Sequence, residues 1–218
     1  MKRFCSFIAA ACVAWPCLAA PPEPLNPASV ETKCENANLG FPLNAQIESC
    51  LELSAAPGLS NDARALAQVQ LGQAYLRGMM YERAIGAFNA AIRLSPKSGA
   101  AFGGRGKAHI AREEIYQGIA DFDYALMLDD SLNLYADRGA ALVKVGKPED
   151  AAADFTNALA RDPNNATLLA QRGVEYFKAG QPDQAKADLE RAIALDPSLA
   201  RHPAYGPFIS EFVQLNRR

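Results

Sequence analysis

The sequence predicts an all-α solenoid of helix-turn-helix repeats that ends in a C-terminal capping helix. Three observations support this prediction. Short glycine-led segments recur every 33 or 34 residues, segments of the form Ala-x-x-x-Phe or a close variant recur in the same phase, and prolines close three of the four units. Such a period is typical of stacked helix pairs. A single pair cannot bury its apolar face alone, so stacking makes the core.

The start of the chain, residues 1–19, predicts a secretory signal peptide. Lys2 and Arg3 precede an uncharged, mostly apolar run that ends in small residues. We expect cleavage after Ala19, because cleavage after Ala20 would leave a proline at the first mature position. The prediction is therefore a periplasmic or secreted protein. Lipid attachment is the alternative, but the cysteines of this segment lack the leucine-bearing sequence that it needs.

Two cysteines remain after the signal peptide, Cys34 and Cys50. An even number of cysteines in an oxidising compartment favours a disulfide; two buried free thiols are the alternative. Residues 20–42 are predicted to form a Pro-rich arm and a disulfide-tethered segment. Residues 43–62 are predicted to form a half-repeat, a second helix without its first, followed by a linker. We expect the disulfide to hold the arm over this half-repeat.

Four full units follow in residues 65–199. In each unit the glycine of the first helix should let the two helices approach closely, and a large apolar residue of the second helix should fill the space between units. Proline breaks the second helix at a unit boundary. The units are 65–98, 99–131, 132–165 and 166–199, followed by a capping helix in 200–218. The glycines are Gly72, Gly106, Gly139 and Gly173, and the large residues are Phe88, Phe122, Phe155 and Leu189.

These units resemble the tetratricopeptide repeat family, whose pattern is Trp-x2-Leu-Gly-x2-Tyr, then Ala-x3-Phe, then Pro. The first unit carries Gly72-Gln-Ala-Tyr75, Ala84-Ile-Gly-Ala-Phe88 and Pro96. The resemblance, to an exported bacterial type, implies a right-handed stack whose first helices line a concave groove. Carried over by phase, the candidate groove residues are Arg77, Lys107, Ile110, Asn133, Lys144, Gln171, Phe177 and Lys178. We expect a mostly apolar, mildly basic groove that fits a peptide with some negative charge.

One set of charges recurs in three units and is absent from the first. An arginine directly precedes the glycine, and an aspartate directly precedes the large apolar residue. This joint occurrence favours internal ion pairs, which would set the unit register more than they would add net stability. An exposed arginine ladder that grips an acidic ligand is the alternative. The residues are Arg105, Arg138 and Arg172 with Asp121, Asp154 and Asp188. The sequence leaves open whether a pair lies within one unit or across a boundary.

Motifs of catalysis are absent from the sequence, which lacks His-Glu-x-x-His, Gly-x-Ser-x-Gly and a Gly-rich phosphate loop. His109 takes the aromatic place of Tyr75 and Tyr176, which predicts packing, and His202 precedes the cap without an evident partner. We therefore expect no enzymatic activity, no cofactor and no metal. No segment after the signal peptide is apolar for long enough to span a membrane.

The charge balance argues against a nucleic-acid partner. Loss of Lys2 and Arg3 leaves 20 Lys and Arg against 24 Asp and Glu, a net charge of −4. The predicted function is a non-enzymatic scaffold or adaptor of the cell envelope that binds a protein or peptide segment in its groove. A self-assembling structural envelope protein is the alternative, and a subunit of an enzyme complex is a remote one.

Overall fold

The structure, a computed structural model, describes residues 34, 40–128 and 132–215. This part of the chain is all-α, so the predicted fold class is confirmed. The predicted signal peptide and most of the predicted arm lie outside the described residues. The helices are α1 (Leu43–Ala55), α2 (Asn61–Arg77), α3 (Tyr81–Leu94), α4 (Gly99–Ala111), α5 (Ile115–Leu128), α6 (Leu132–Lys144), α7 (Pro148–Leu159), α8 (Ala166–Lys178), α9 (Pro182–Leu195) and α10 (Gly206–Leu215), with a 3-10 helix (Pro197–Arg201) before α10.

Helices α2 to α9 form four consecutive pairs, and each helix packs against the next along the chain. First helices of successive units also touch, α2 against α4 and α4 against α6. Helix α2 begins four residues before the predicted start of its unit, because the Ser60 side chain accepts a hydrogen bond from the Ala63 N–H and caps the helix there. Pro148 and Pro182 stand in the first turns of α7 and α9, where the missing N–H has no helical partner to lose.

A large apolar side chain of each second helix occupies the space left by the glycine of its first helix. A Cβ placed on Gly72 would come within 2.7 Å of the Phe88 ring, and Gly104 of the next unit faces the same ring. Phe88 is fully buried between the two units. The same arrangement pairs Gly106 with Phe122, Gly139 with Phe155 and Gly173 with Leu189. Small and large residues therefore alternate through the stack, as close packing requires.

The turn inside each unit contains one residue with left-handed backbone geometry. The φ angles are 56° at Met79, 66° at Glu113, 71° at Gly146 and 72° at Gly180, at equivalent positions of the four units. Glycine adopts this conformation without steric penalty, whereas in a residue with a Cβ atom it raises the conformational free energy by about 1–2 kcal/mol. The first two turns therefore hold strain that the last two avoid.

Replacing Glu113 by glycine is expected to raise the free energy of unfolding by about 0.5–1 kcal/mol, because relief of strain exceeds the added entropy of the unfolded chain. Urea denaturation measures the change. The matched control is Gly146→Ala, which should lower the free energy by a similar amount. A loss of stability in Glu113→Gly would contradict the strain argument.

The disulfide predicted between Cys34 and Cys50 is present, with the Cα atoms 4.8 Å apart and both residues fully buried. The Gln46 amide donates a hydrogen bond of 3.1 Å to the carbonyl oxygen of Cys34, and Arg77 donates one to Gln46 Oε1. Closing a loop of this length stabilises by about 3 kcal/mol on the chain-entropy account. Residue 34 is thereby tied to α1, and α1 to the end of α2.

The C-terminal segment covers the fourth unit. Leu199 and Ile209 are buried in the same apolar cluster as Leu189. The Phe208 ring meets the Phe177 ring edge-on, with centroids 5.5 Å apart. Helix α10 thus covers apolar side chains of the fourth unit, which is the role expected of a capping helix.

Candidate functional site

Three adjoining cavities run along the first helices of the four units. The N-terminal cavity, about 390 Å³, lies among α2, α4 and α6. The central cavity, about 230 Å³, lies between α4 and α6. The C-terminal cavity, about 300 Å³, lies among α6, α8 and the segment that leads into α10. Lys107 and Asp137 line both of the first two cavities, and Ala140 and Lys144 line both of the last two. We call the three cavities together the groove.

Seven of the eight residues predicted for the groove line it. The eighth, Phe177, is not among the residues that line the three cavities, and its ring packs against Phe208 of α10. The seven are Arg77 and Asn133 in the N-terminal cavity, Lys107 in the N-terminal and central cavities, Ile110 in the central one, Lys144 in the central and C-terminal ones, and Gln171 and Lys178 in the C-terminal one.

Two of the four groove cations have carboxylate partners. Lys107 Nζ lies 2.8 Å from Asp137 Oδ2, and Lys178 Nζ lies 2.6 Å from Glu175 Oε1. The Glu175 side chain is only 4% exposed, so its charge needs the lysine beside it. Among the described residues, none pairs with Lys144. The groove is therefore less basic than its lysines alone suggest.

The fourth cation, Arg77, stands at the N-terminal end of the groove. Its guanidinium donates a hydrogen bond to the neutral amide of Gln46, which also holds the backbone of Cys34. This contact orients the arginine without compensating its charge. Gln73 and Leu76 of the same helix line the cavity beside it. The N-terminal cavity therefore offers one oriented positive charge next to an apolar wall.

The wall at the C-terminal end of the groove comes from outside the repeats. Tyr205 and Phe208 line the C-terminal cavity. The Tyr205 ring stacks on His202, with centroids 4.5 Å apart, and its hydroxyl is hydrogen-bonded to Gln171. Burial raises the pKa of Tyr205, and the bond to Gln171 opposes that rise. The repeat pattern gives no signal for this wall, because residues 200–208 do not follow the repeat phase.

The recurring arginines and aspartates form ion pairs within single units. Arg138 Nε and Nη2 donate hydrogen bonds of 2.8 and 2.7 Å to the two carboxylate oxygens of Asp154, and the Asp154 side chain is 4% exposed. The hydrogen bonds to Asp154, followed by one to Asp123, raise the pKa of Arg138 against the opposing effect of burial. The same geometry joins Arg105 to Asp121 and Arg172 to Asp188, each pair 16 residues apart.

The Nη1 group of each arginine reaches the preceding unit. Arg138 Nη1 donates a hydrogen bond of 2.6 Å to Asp123 of α5. The equivalent contacts run from Arg105 to Asn89 and from Arg172 to Thr156. Each guanidinium thus bridges its own second helix and that of the unit before it. With three N–H groups engaged inside the stack, this geometry favours the internal pairing over the exposed ligand ladder.

The histidines are placed close to carboxylates or rings. His109 Nδ1 lies 2.6 Å from Glu114 Oε2, and the ring is half-buried at the end of α4. In residues 34, 40–128 and 132–215, no three His, Cys, Asp or Glu side chains are arranged to hold a metal ion. The helices of the same part of the chain are all too short or too polar to cross a membrane.

Comparison with known families finds the tetratricopeptide repeat. Family models of this repeat match residues 66–98, 137–174 and 166–199. The small glutamine-rich tetratricopeptide repeat-containing protein 2 of Saccharomyces cerevisiae is 32% identical over 88 residues, which make up 40% of this chain. The matched region covers a quarter (25%) of the length of that yeast protein.

Solved structures with the same fold include MamA from Desulfovibrio magneticus RS-1 and YrrB. The MamA match has a TM-score of 0.67 at 14% identity and covers 79% of this chain and 96% of the other. YrrB, described as a TPR protein with an unusual peptide-binding site, matches with a TM-score of 0.58 at 22% identity and covers 71% of this chain and 78% of the other. At these identities the likeness shows the fold.

Proposed function

Because the chain is a tetratricopeptide repeat protein, we propose that it is a non-enzymatic scaffold that binds a protein or peptide segment along its groove. The observation that carries this proposal is the continuity of the three cavities, which share lining residues from α2 to the start of α10. YrrB, which has the same fold, is described as having a peptide-binding site, and that description supports the same class of ligand here.

Small residues make the groove suited to a peptide chain. Ala100, Gly103 and Gly104 of α4 line the N-terminal cavity, and Ala140 lines the next two. Such residues let the backbone of a bound segment approach the helices closely. The surrounding helices are held by Arg–Asp bridges and buried rings, so the groove requires little ordering on binding. Preorganisation of this kind lowers the entropy cost of association.

The proposed place of action is the periplasm or the exterior of the cell. Residues 1–19 follow the pattern of a secretory signal peptide. The disulfide between Cys34 and Cys50 supports the same location, because such bonds persist in oxidising compartments and are rare in the cytosol.

The test compares partner recovery by wild type with recovery by a groove variant, Lys107→Glu/Lys144→Glu, from an envelope extract of the source cells after crosslinking. We expect the groove variant to lose partners that wild type captures, because charge reversal at both sites repels acidic groups and leaves Asp137 beside a second carboxylate. The matched control, Lys97→Glu/Lys186→Glu, makes the same change of charge on exposed or partly exposed lysines outside the groove.

Equal recovery of every partner by the groove variant and wild type would overturn the groove assignment. Circular dichroism of each variant checks that the helices are retained. Sedimentation velocity of the wild-type protein over a range of concentrations tests self-assembly, since association of copies would raise the sedimentation coefficient with concentration.

A further inference from the structure

Lys144 occupies the boundary between two apolar cavities. With Ala140 it lines both the central and the C-terminal cavity. Ile110 and Phe122 form part of the wall of the central cavity, and Val174 and Phe208 form part of the wall of the C-terminal one. Lys144 is the last residue of α6. The side chain is exposed, so a bound segment can reach it.

The charges on either side of Lys144 are already compensated. Lys107, on the N-terminal side, pairs with Asp137, and Lys178, on the C-terminal side, pairs with Glu175. No residue in the described part of the chain pairs with Lys144. Of the three groove lysines, Lys144 therefore offers a carboxylate the most favourable interaction, since at the other two the carboxylate would meet an acidic neighbour. Apolar walls on both sides reduce the screening of such a pair by water.

The two cavities are large enough for bulky apolar side chains. A dry cavity of about 150 Å³ holds a benzene ring, and these cavities measure about 230 and 300 Å³. The wall of the C-terminal cavity is held in place, because Tyr205 stacks on His202 and bonds to Gln171. Each cavity can therefore take one aromatic or large aliphatic side chain without rebuilding the groove.

We propose that the groove recognises a segment in which an Asp or Glu side chain stands between two large apolar side chains. The carboxylate pairs with Lys144, and the apolar side chains enter the central and C-terminal cavities. A chain-terminal carboxylate does not meet this requirement, because the segment must continue on both sides of Lys144. This inference rests on the groove function proposed above and names the chemistry of its ligand.

The test begins with a random twelve-residue peptide library displayed on phage and selected on the mature chain with its disulfide intact. We expect the selected sequences to be enriched in Asp or Glu with Phe, Trp, Leu or Ile on both sides. One selected peptide and a copy with its acidic residue changed to the amide are then synthesised with a fluorescent label. Anisotropy measures their affinities for wild type and variants.

For the acidic peptide we expect Lys144→Gln to weaken binding roughly fivefold or more. Added salt should also weaken the binding of this peptide to wild type. Lys144→Gln should also abolish the difference between the acidic peptide and its amide copy. Ala140→Met fills part of both cavities from an exposed position and should weaken both peptides. Lys97→Gln and Ala187→Met, the same changes outside the groove, should leave both affinities unchanged.

The outcomes separate this inference from the function on which it rests. If peptides bind and Ala140→Met weakens them, but acids are not enriched or Lys144→Gln has no effect, the ligand chemistry is wrong and the groove function stands. If no peptide is selected, or if binding is indifferent to Ala140→Met, the groove function fails and the inference fails with it.

Discussion

Replacing Arg138 by methionine is expected to lower the free energy of unfolding by about 3–5 kcal/mol. The Asp154 side chain, 4% exposed, would lose both of its hydrogen bonds from the guanidinium and remain as an uncompensated buried charge. The contact with Asp123 of the preceding unit would be lost as well. Urea denaturation followed by circular dichroism measures the change. Arg93→Met, on the exposed face of α3, is the control and should change stability by no more than about 0.5 kcal/mol.

The double variant Arg138→Met/Asp154→Leu separates the ion pair from its isolated partner. Buried pairs replaced by apolar residues of similar size are often neutral or stabilising, so the double variant should recover most of the stability that Arg138→Met loses. A coupling energy near zero in this cycle would show that the two side chains act independently, contrary to the bidentate geometry. Because the double variant also lacks the hydrogen bond from Arg138 to Asp123 of the preceding unit, it should remain slightly less stable than wild type.

Replacing Phe88 by alanine is expected to cost about 3–5 kcal/mol. The ring is fully buried and fills the space beside Gly72 of its own unit and Gly104 of the next. Alanine would leave a cavity between two units whose glycine backbones cannot supply replacement atoms. The same urea titration measures the loss.

Tyr116→Ala is the matched control for the loss of an aromatic ring. The Tyr116 side chain lies on α5 and is 73% exposed, so its removal should change stability by about 0.5 kcal/mol or less. If Phe88→Ala costs no more than this control, the glycine–aromatic packing does not hold the units together. Hydrogen exchange would add a second readout, because loss of this contact should deprotect α2 and α3 before α8 and α9.

Much of the fold could be predicted because its determinants are local and repeated. The glycine, the large apolar residue and the proline recur in phase, so the helix pairs and their order follow from the period. The two cysteines could be matched because only two remain beyond the predicted signal peptide. The arginine and aspartate positions represented by Arg138 and Asp154 occur together in three units, which indicates an ion pair. The sequence does not distinguish a pair within one unit from a pair between neighbouring units. The structure shows that Arg138 bonds the carboxylate of Asp154 within its own unit, and that its Nη1 group bonds Asp123 of the preceding unit.

Residues outside the repeat phase could not be placed in this way. Tyr205 and Phe208 belong to the segment after the last unit, and nothing in its sequence specifies that it turns back to close the groove. Phe177 is predicted for the groove, but it does not line the three cavities, and its ring meets the Phe208 ring of the capping helix. A side chain on the border of a helix face goes to whichever neighbour buries it, and that neighbour is distant in sequence.

The sequence by itself determined the repeated helix pairs, the close glycine–aromatic packing between them and the set of lysines along the first helices. The pairing of Lys178 with Glu175 follows from their i,i+3 spacing on one helix, whereas the tertiary structure alone decided which of the other lysines meets a carboxylate. Lys107 and Asp137 stand on different helices, and Lys144 between two cavities meets no partner among the described residues. The reason is that Coulomb attraction depends on the distance between side chains, and this distance is set by how the helices stack.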